Sequence, residues 1–477
     1  MYDIIVIGAG INGGLLAHRL SKYNLKVAVL EKDNDAGNAA TAANSAMVHS
    51  GHDPKPGTLK AKLNVRGNEL YDELCEELKV DFIRNGAMVV ATDESELPTL
   101  YELYQQAQDR NVPARIMERE EAIALEPNLS DEVIKAMDLP TTGLISPWEV
   151  TIAALESAMD NGVDLFLNNE VVNIDKKDGY FDITTNKAVY QTKIVINSAG
   201  VFADDIYRMV SKQTTYNIRP RRGEYYVLDR ADQPVVTRTI YPLPSEKGKG
   251  VLVVPTIHNN ILLGPNSDYI DDKEGVDNTA EALEYIRREV SKTVKNIPMH
   301  TIIRTYSGLR ATPDTGDFII EEAKDVPNFV NLIGIESPGI ASAPAITEYV
   351  FDNILKDLIP LEKKTEPYKE RRPWIILNRM SVEEKQEYFE KDPRFGQMVC
   401  RCELISEGEI VDIIHRNAGA TTVKGVKRRV RPGAGRCQGG FCEPRVIDIL
   451  ARELNVAPCD VLYDSDEAKI LIGKTKE

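Results

Sequence analysis

The chain has 477 residues, 42% of them hydrophobic and 28% charged, with a net charge of -16. That length is too great for one core and implies two or three domains, while the acidic balance excludes a broad nucleic-acid-binding surface. No apolar run approaches the ~20 residues that span a bilayer, and the opening Met1-Tyr2-Asp3 lacks the basic and apolar regions of a secretory signal. The expectation is a cytoplasmic protein without a transmembrane segment, with peripheral docking at a membrane through a partner left open.

Residues 3–7 form an apolar run that reads as a buried parallel strand. It ends in Gly8-Ala9-Gly10-Ile11-Asn12-Gly13, a G-x-G-x-x-G turn. Gly8 permits the tight turn, Gly10 lets the backbone approach a pyrophosphate, and Gly13 allows close helix–strand packing. A helix over residues 13–23 would then aim its positive dipole end at the phosphates. A second apolar run, residues 27–30, ends at Glu31, where a carboxylate meets ribose hydroxyls. This βαβ unit binds a dinucleotide without choosing between FAD and NAD. Apolar runs at 194–197 and 329–333 also end near glycines, Gly200 and Gly334, and suggest one sheet assembled from distant segments. Strand-like patterns at 224–228, 251–254 and 261–263 suggest a second, mostly antiparallel sheet above the cofactor.

The stretch from Pro360 to Phe395 is rich in Lys, Glu, Arg and Pro, with Trp374 as an isolated anchor and a short helix expected near 382–389. It reads as a linker wrapping the first module. Behind it, four of the six cysteines gather as Cys400-Arg401-Cys402 and Cys437-Gln438-Gly439-Gly440-Phe441-Cys442. Thiolates clustered in this way hold a metal or an iron–sulfur centre, and the expected compartment disfavours disulfides. The resulting fold class is α/β: a Rossmann-like nucleotide domain, an inserted mostly antiparallel substrate domain and a small helical cysteine domain. The divisions expected are 1–85, 145–215 and 300–358 for the nucleotide domain, 86–144 and 216–299 for the substrate domain, 359–397 for the linker, 398–458 for the cysteine domain and 459–477 for a tail.

Six further segments sharpen this picture. Residues 40–51, Asn197-Ser198-Ala199-Gly200, Arg222-Gly223-Glu224-Tyr225-Tyr226, Gly264-Pro265-Asn266, Gly308-Leu309-Arg310 and residues 334–341 resemble the D-amino-acid-oxidase-like superfamily of FAD-dependent oxidoreductases. Within it the similarity is to bacterial glycerol-3-phosphate dehydrogenases and oxidases and to L-2-hydroxyglutarate dehydrogenases. Relatives carry glycine where this chain has Ala43 and Ala46. The resemblance covers residues 1 to about 358 and implies FAD bound by Gly8, Gly10, Gly13, Glu31, Thr41, Asn44 and Ser45. It places the Val172 backbone at the adenine, and Gly200, Gly334, Gly339, Ile340 and Ala341 along the pyrophosphate and flavin ring.

Oxidising a secondary alcohol removes a hydroxyl proton and a hydride, so the protein must supply a base and an anchor. His49, in the flavin segment, is the base, against a role in hydrogen bonding only. Arg310 is the anion anchor, against an ion pair with Asp314 or Asp317. Arg222 and Ser337 are placed at the substrate, although Arg222 could instead pair with Glu224. Lys249 suits a phosphate as a point charge, against a solvent-exposed hairpin lysine. The cysteine segment resembles the [2Fe–2S] domain of bacterioferritin-associated ferredoxin, which implies Cys400, Cys402, Cys437 and Cys442 as ligands; a structural zinc uses the same set. Together these imply oxidation of sn-glycerol 3-phosphate to dihydroxyacetone phosphate, with electrons leaving through the cluster to an acceptor protein or quinone-linked subunit. The alternatives are a 2-hydroxyacid or amino-acid dehydrogenase on the same scaffold, and a cysteine module that serves assembly or metal sensing.

Overall fold

A computed structural model describes residues 1–213, 216–244, 250–465, 467–473 and 475. β1 (Tyr2–Ile7) turns into α1 (Ile11–Leu20) and returns on β2 (Val27–Leu30), parallel to β1, with Ile4 opposite Val27 and Ile7 opposite Leu30. Every side chain of β2 is buried, which is why it reads Val-Ala-Val-Leu with no polar alternation. Helices α2 (Leu59–Leu78) and α3 (Pro147–Asp160) follow, and α3 packs along α1. The chain then adds β3 (Val189–Asn197) beside β1. It leaves for the second sheet through β4 (Ile218–Leu228) and β5 (Ile302–Pro313) and comes back on β6 (Phe329–Ile333) and α4 (Gly339–Val350). The central order is Ile319–Glu322, β6, β3, β1, β2, Asp164–Phe166, with only the first of these strands antiparallel to its neighbour. The carboxyl ends of β1, β3 and β6 run into Gly8, Gly200 and Gly334, so three loops from distant parts of the chain meet at one edge, where such sheets bind ligands.

The second sheet has nine strands and is antiparallel except where Thr239–Pro242 runs parallel to Ala87–Ala91. Its spine is the long ladder of β4 against β5, from Ile218 opposite Pro313 to Leu228 opposite Ile302. This corrects the domain division expected from residue 300. Residues 302–313 satisfy their backbone groups along β4, not along the nucleotide sheet, and the chain returns only after Pro313.

The C-terminal region is helical, as expected. α5 (Val382–Lys391) starts at a Ser381/Glu384 capping box. A small hairpin, Met398–Cys400 with Ile405–Ser406, leads into α6 (Glu407–Ile414), α7 (Val423–Val430) and α8 (Glu443–Leu454). Their apolar faces do not form a separate core. Ile410, Val426 and Leu450 belong to the same buried cluster as Ile4, Val6 and Val29 under the nucleotide sheet.

Two buried carboxylates lock this junction. Glu156 on α3 accepts from Arg371 Nε at 2.7 Å, Trp374 Nε1 at 3.1 Å and Arg416 Nε at 3.2 Å. Asp35, just beyond β2, accepts from Arg429 Nη2 at 2.8 Å and Nη1 at 2.9 Å and from Arg428 Nη1 at 3.4 Å. The linker therefore wraps the first module, with Trp374 as its buried anchor. Burial alone would raise the Asp35 carboxyl, but Arg429 and Arg428 outweigh it and hold it below its ordinary value of 3.8. A carboxyl depressed in the folded state adds stability that is full above the unfolded pKa and is lost as the pH falls through the folded one. The Asp35 contribution is thus complete at neutral pH and disappears only in acid below 3.8. Replacing Glu156 with Ala leaves the buried Arg371 and Arg416 guanidinium groups without their carboxylate. We expect a loss of roughly 3–5 kcal/mol in chemical denaturation, with faster proteolysis of residues 359–397.

Candidate active site

A cavity of about 1040 Å³ runs from the N-terminus of α1, past residues 40–45, to the face of β4 and β5. Its floor is built by the glycine turn. Gly8 has φ +100, and a Cβ on Gly13 would sit 1.9 Å from the Gly8 carbonyl oxygen, so only glycine lets α1 start this close to β1. Ile11 N–H donates to Thr41 Oγ1 at 3.0 Å, and Asn12 Oδ1 is buried in the cavity wall without a protein partner. Glu31 accepts from Ala9 N–H at 2.6 Å and Asp33 N–H at 3.0 Å. Burial, with Asp33 beside it, pushes the Glu31 carboxyl up to about 7. An orphaned acceptor, a glycine cradle at a helix N-terminus and a desolvated acid fit the hydroxyls and pyrophosphate of FAD.

Of the residues expected at the cofactor, Gly10, Thr41, Asn44, Ser45, Gly200, Gly339 and Ile340 line the cavity. Gly8, Gly13, Glu31, Gly334 and Ala341 stand behind that wall. Ala46 holds a left-handed backbone at φ +57, with Asn44 Oδ1 accepting its N–H at 2.7 Å. Val172 lies outside the wall, with its side chain half exposed. It sits at a β-bulge where the ladder steps from Asn173–Thr184 to Val171–Thr185.

The roof carries the polar chemistry. His49 Nδ1 lies 2.8 Å from the Tyr241 hydroxyl, and the His49 carbonyl accepts from Asn64 Nδ2 at 2.8 Å and Asn68 Nδ2 at 3.1 Å. The Tyr241 hydroxyl is also 3.5 Å from Met47 Sδ, which it can serve only as donor. Either partner can donate in the His49–Tyr241 contact; where the hydroxyl oxygen accepts Nδ1–H, the imidazole lone pair falls on Nε2. Burial, reinforced by Asp53, raises the Tyr241 pKa and keeps that hydroxyl protonated.

Arg310 crosses β4 through a gap left by Gly223, where a Cβ would meet its Nη2 at 2.9 Å. Both Nη atoms reach the Asn266 carbonyl at 3.4 Å. Among the described residues no carboxylate pairs with Arg310; Asp317 instead accepts from the Leu59 N–H at 2.8 Å and the Lys60 N–H at 3.1 Å.

The structure does not bring Arg222 to the substrate side. Its side chain pairs with Asp277 at 2.9 Å and Glu224 at 3.4 Å. Strand alternation gives the cavity face of β4 to Arg221, Gly223 and Tyr225 instead, and Arg221 and Tyr225 line the cavity. Ser337 also lines the cavity. Lys249 lies outside the described residues. Arg221, Tyr225 and Tyr241 were missed from the sequence; a period-two reading outward from Gly223 would have found the first two.

The four cysteines of the C-terminal module come together as free thiols in two pairs. Cys402 and Cys437 sulfurs are 3.6 Å apart. The Cys442 S–H donates to Cys400, which with backbone N–H groups of Gly433, Glu403 and Cys402 lowers the Cys400 thiol to about 6 against its burial. Among the described residues no three His, Cys, Asp or Glu side chains converge on a single-ion centre. Two thiol pairs match a cluster whose two irons each take two cysteines. Lys427, beside Gln438 at 3.4 Å, is pushed down to about 8 by burial and by Arg304, Arg431 and Lys424. That concentration of positive charge suits a negatively charged cluster.

Two substitutions separate the sites. Gly13→Ala should purify with flavin absorption near 450 nm reduced by at least ~10-fold per chain, since the new methyl group overlaps a backbone oxygen. Cys437→Ser should lose iron, sulfide and cluster absorption while retaining flavin.

The family described as FAD dependent oxidoreductase (DAO) matches residues 3–352, and the BFD-like [2Fe-2S] binding domain matches residues 398–452. Glycerol 3-phosphate dehydrogenase of Caloramator mitchellensis is 51% identical over 480 residues, which is 100% of this chain and 99% of that protein. The mitochondrial L-2-hydroxyglutarate dehydrogenase of Arabidopsis thaliana is 28% identical over 405 residues, 74% of this chain and 83% of that protein. The solved structure of dithionite-reduced L-alpha-glycerophosphate oxidase from Mycoplasma pneumoniae with FAD bound aligns with TM-score 0.74 and 29% identity, covering 78% of this chain and 99% of that one. The glycine cradle lies within the first match and the paired thiols within the second, and the chain belongs to the FAD dependent oxidoreductases and carries a BFD-like [2Fe–2S] domain behind the flavin module.

Proposed function

We propose that the protein is a glycerol-3-phosphate dehydrogenase, converting sn-glycerol 3-phosphate to dihydroxyacetone phosphate and handing the electrons to a separate acceptor. The observation that carries this reading is a cavity lined by a half-buried guanidinium that no carboxylate among the described residues pairs with, Arg310, and by an imidazole 2.8 Å from a tyrosine hydroxyl, His49. The Caloramator relative, which spans both modules, has this activity in its name. The hydroxyglutarate relative is more distant and is matched over less of the chain.

When bound, FAD supplies a hydride acceptor and the [2Fe–2S] cluster a one-electron relay. The chain's own residues do the rest. His49 takes the hydroxyl proton at Nε2, and Tyr241 holds the ring by accepting Nδ1–H. Arg310 forks onto the phosphate, the one dianionic group of the substrate. Arg221 is already tied to Glu336 at 2.7 Å and shapes the positive wall behind it. Lys249 adds a further phosphate contact. The acceptor is an electron-carrier protein or a quinone-linked subunit. Among the described residues no helix is long and apolar enough to cross a membrane.

The test is an anaerobic absorption titration. Flavin absorption should bleach with sn-glycerol 3-phosphate and not with L-2-hydroxyglutarate; the opposite result overturns the substrate assignment. Arg310→Lys should raise KM for glycerol 3-phosphate by ~10–100-fold, the equivalent of roughly 1.5–3 kcal/mol for charge-assisted hydrogen bonds. Tyr241→Phe should lower kcat/KM by ~10-fold or more and shift its acid limb, because Nδ1 loses its acceptor and the base its fixed tautomer.

A further inference from the structure

The most exposed apolar side chains of the thiol module flank its cysteines, ahead of Val456 at 41%. Phe441, next to Cys442, is 85% exposed; Leu404, two residues after Cys402, is 52% exposed; Met398, two before Cys400, is 44% exposed. Leu404 holds φ +58, a conformation that bulky L-residues avoid. By contrast, the apolar positions of α6, α7 and α8 are packed into the common core. The thiols themselves are graded in the same sense. Cys400 and Cys442 are 1% and 2% exposed, whereas Cys402 and Cys437 reach the surface.

The charges around these loops run against the rest of the molecule. Arg401, Arg436 and Arg445 are exposed beside the cysteines of a chain with net charge -16. Arg436 reaches Asp229 at 2.8 Å, and Arg445 donates to the Met398 carbonyl. The nearby acids are largely spoken for: Glu403 is buried and matched by Arg431 at 2.9 Å, and Glu443 is half-buried facing Lys427. An apolar tip with a basic rim, on a chain of net charge -16, favours an acidic partner at this place.

We propose that the loops bearing Phe441 and Leu404 are the docking face for a small, acidic, soluble one-electron carrier protein, reduced through the outer thiol pair Cys402 and Cys437. This rests on the reading of the module as the electron exit. Oxidising one CH–OH to C=O releases two electrons and two protons, so two carrier molecules are reduced in succession, one electron each, and both protons pass to solvent. A lipid surface fits less well, because membrane-seeking segments present a helix with an outward apolar face, and here those faces are buried.

The experiment uses the full-length holoenzyme and rubredoxin as probe, an acidic one-electron carrier. Rubredoxin reduction after addition of sn-glycerol 3-phosphate should slow by ~10-fold between low and high salt. Phe441→Ser and Arg401→Glu, made separately, should each lower the second-order rate by ~10-fold or more and weaken calorimetric binding of rubredoxin, with flavin bleaching and the cluster spectrum unchanged. Salt-insensitive reduction, rates unaltered in both variants, faster reduction of the basic cytochrome c, or salt-dependent binding to phosphatidylglycerol vesicles that rubredoxin does not compete would each overturn the proposal. Reducing the enzyme with a limiting amount of dithionite, in place of substrate, tests the face even if glycerol 3-phosphate fails to bleach the flavin, so the two readings fail separately.

Discussion

Asp35 and Glu156 each sit in the core with more than one donor from the C-terminal region aimed at them. Taking a carboxylate and a guanidinium out of water costs several kcal/mol per ion, and their attraction repays it only with full hydrogen bonding. Apolar side chains of the same volume would hold the junction as firmly. What the charged version adds is geometry: a planar guanidinium meets a carboxylate in few orientations. The module that carries the thiols is therefore set against the nucleotide domain in one arrangement, with one continuous apolar core behind it.

That arrangement brings the thiols to the end of the substrate sheet. β4 presents Tyr225 to the cavity, and just beyond its last residue come Asp229, paired with Arg436, and Arg230, which donates to the Cys402 carbonyl. Four residues of extended chain cover only ~13 Å. The strand that positions Arg310 through Gly223 is thus also the strut between the cavity and the electron exit. Tyr225 and Tyr306 stack across β4 and β5 at 4.6 Å and 5°, and each bonds the flavin segment, Tyr225 to Ser45 Oγ at 3.1 Å and Tyr306 to the Asn44 carbonyl at 2.7 Å. A rigid aromatic pair ties the segment that must touch the flavin to the strands that must hold the substrate.

Local stereochemistry made the first strand, the glycine turn, Glu31 and the four cysteines readable in the linear chain. A turn that tolerates no Cβ and thiols spaced for a cluster are set by residues close in sequence. The three strands ending in glycine were readable for the same reason, since a strand buried on both faces has no alternation to disguise it. The linker was readable through its composition, and a short helix was expected within it near 382–389.

The remainder depended on which residues fold into proximity. Arg221 and Arg222 are equivalent in the string, and only the pairing of β4 with β5 turns one to the cavity and the other to Asp277 and Glu224. Tyr241 stands 192 residues from the histidine it orients, too far for any motif to join them. The extent of the substrate sheet to Pro313, the merging of the C-terminal helices into the nucleotide core and the grip of Asp35 and Glu156 on distant arginines are likewise long-range. Backbone sterics and metal-ligand chemistry act over a few residues and leave a pattern in the sequence; facing, tautomer and ion pairing arise from contacts between remote segments and leave none.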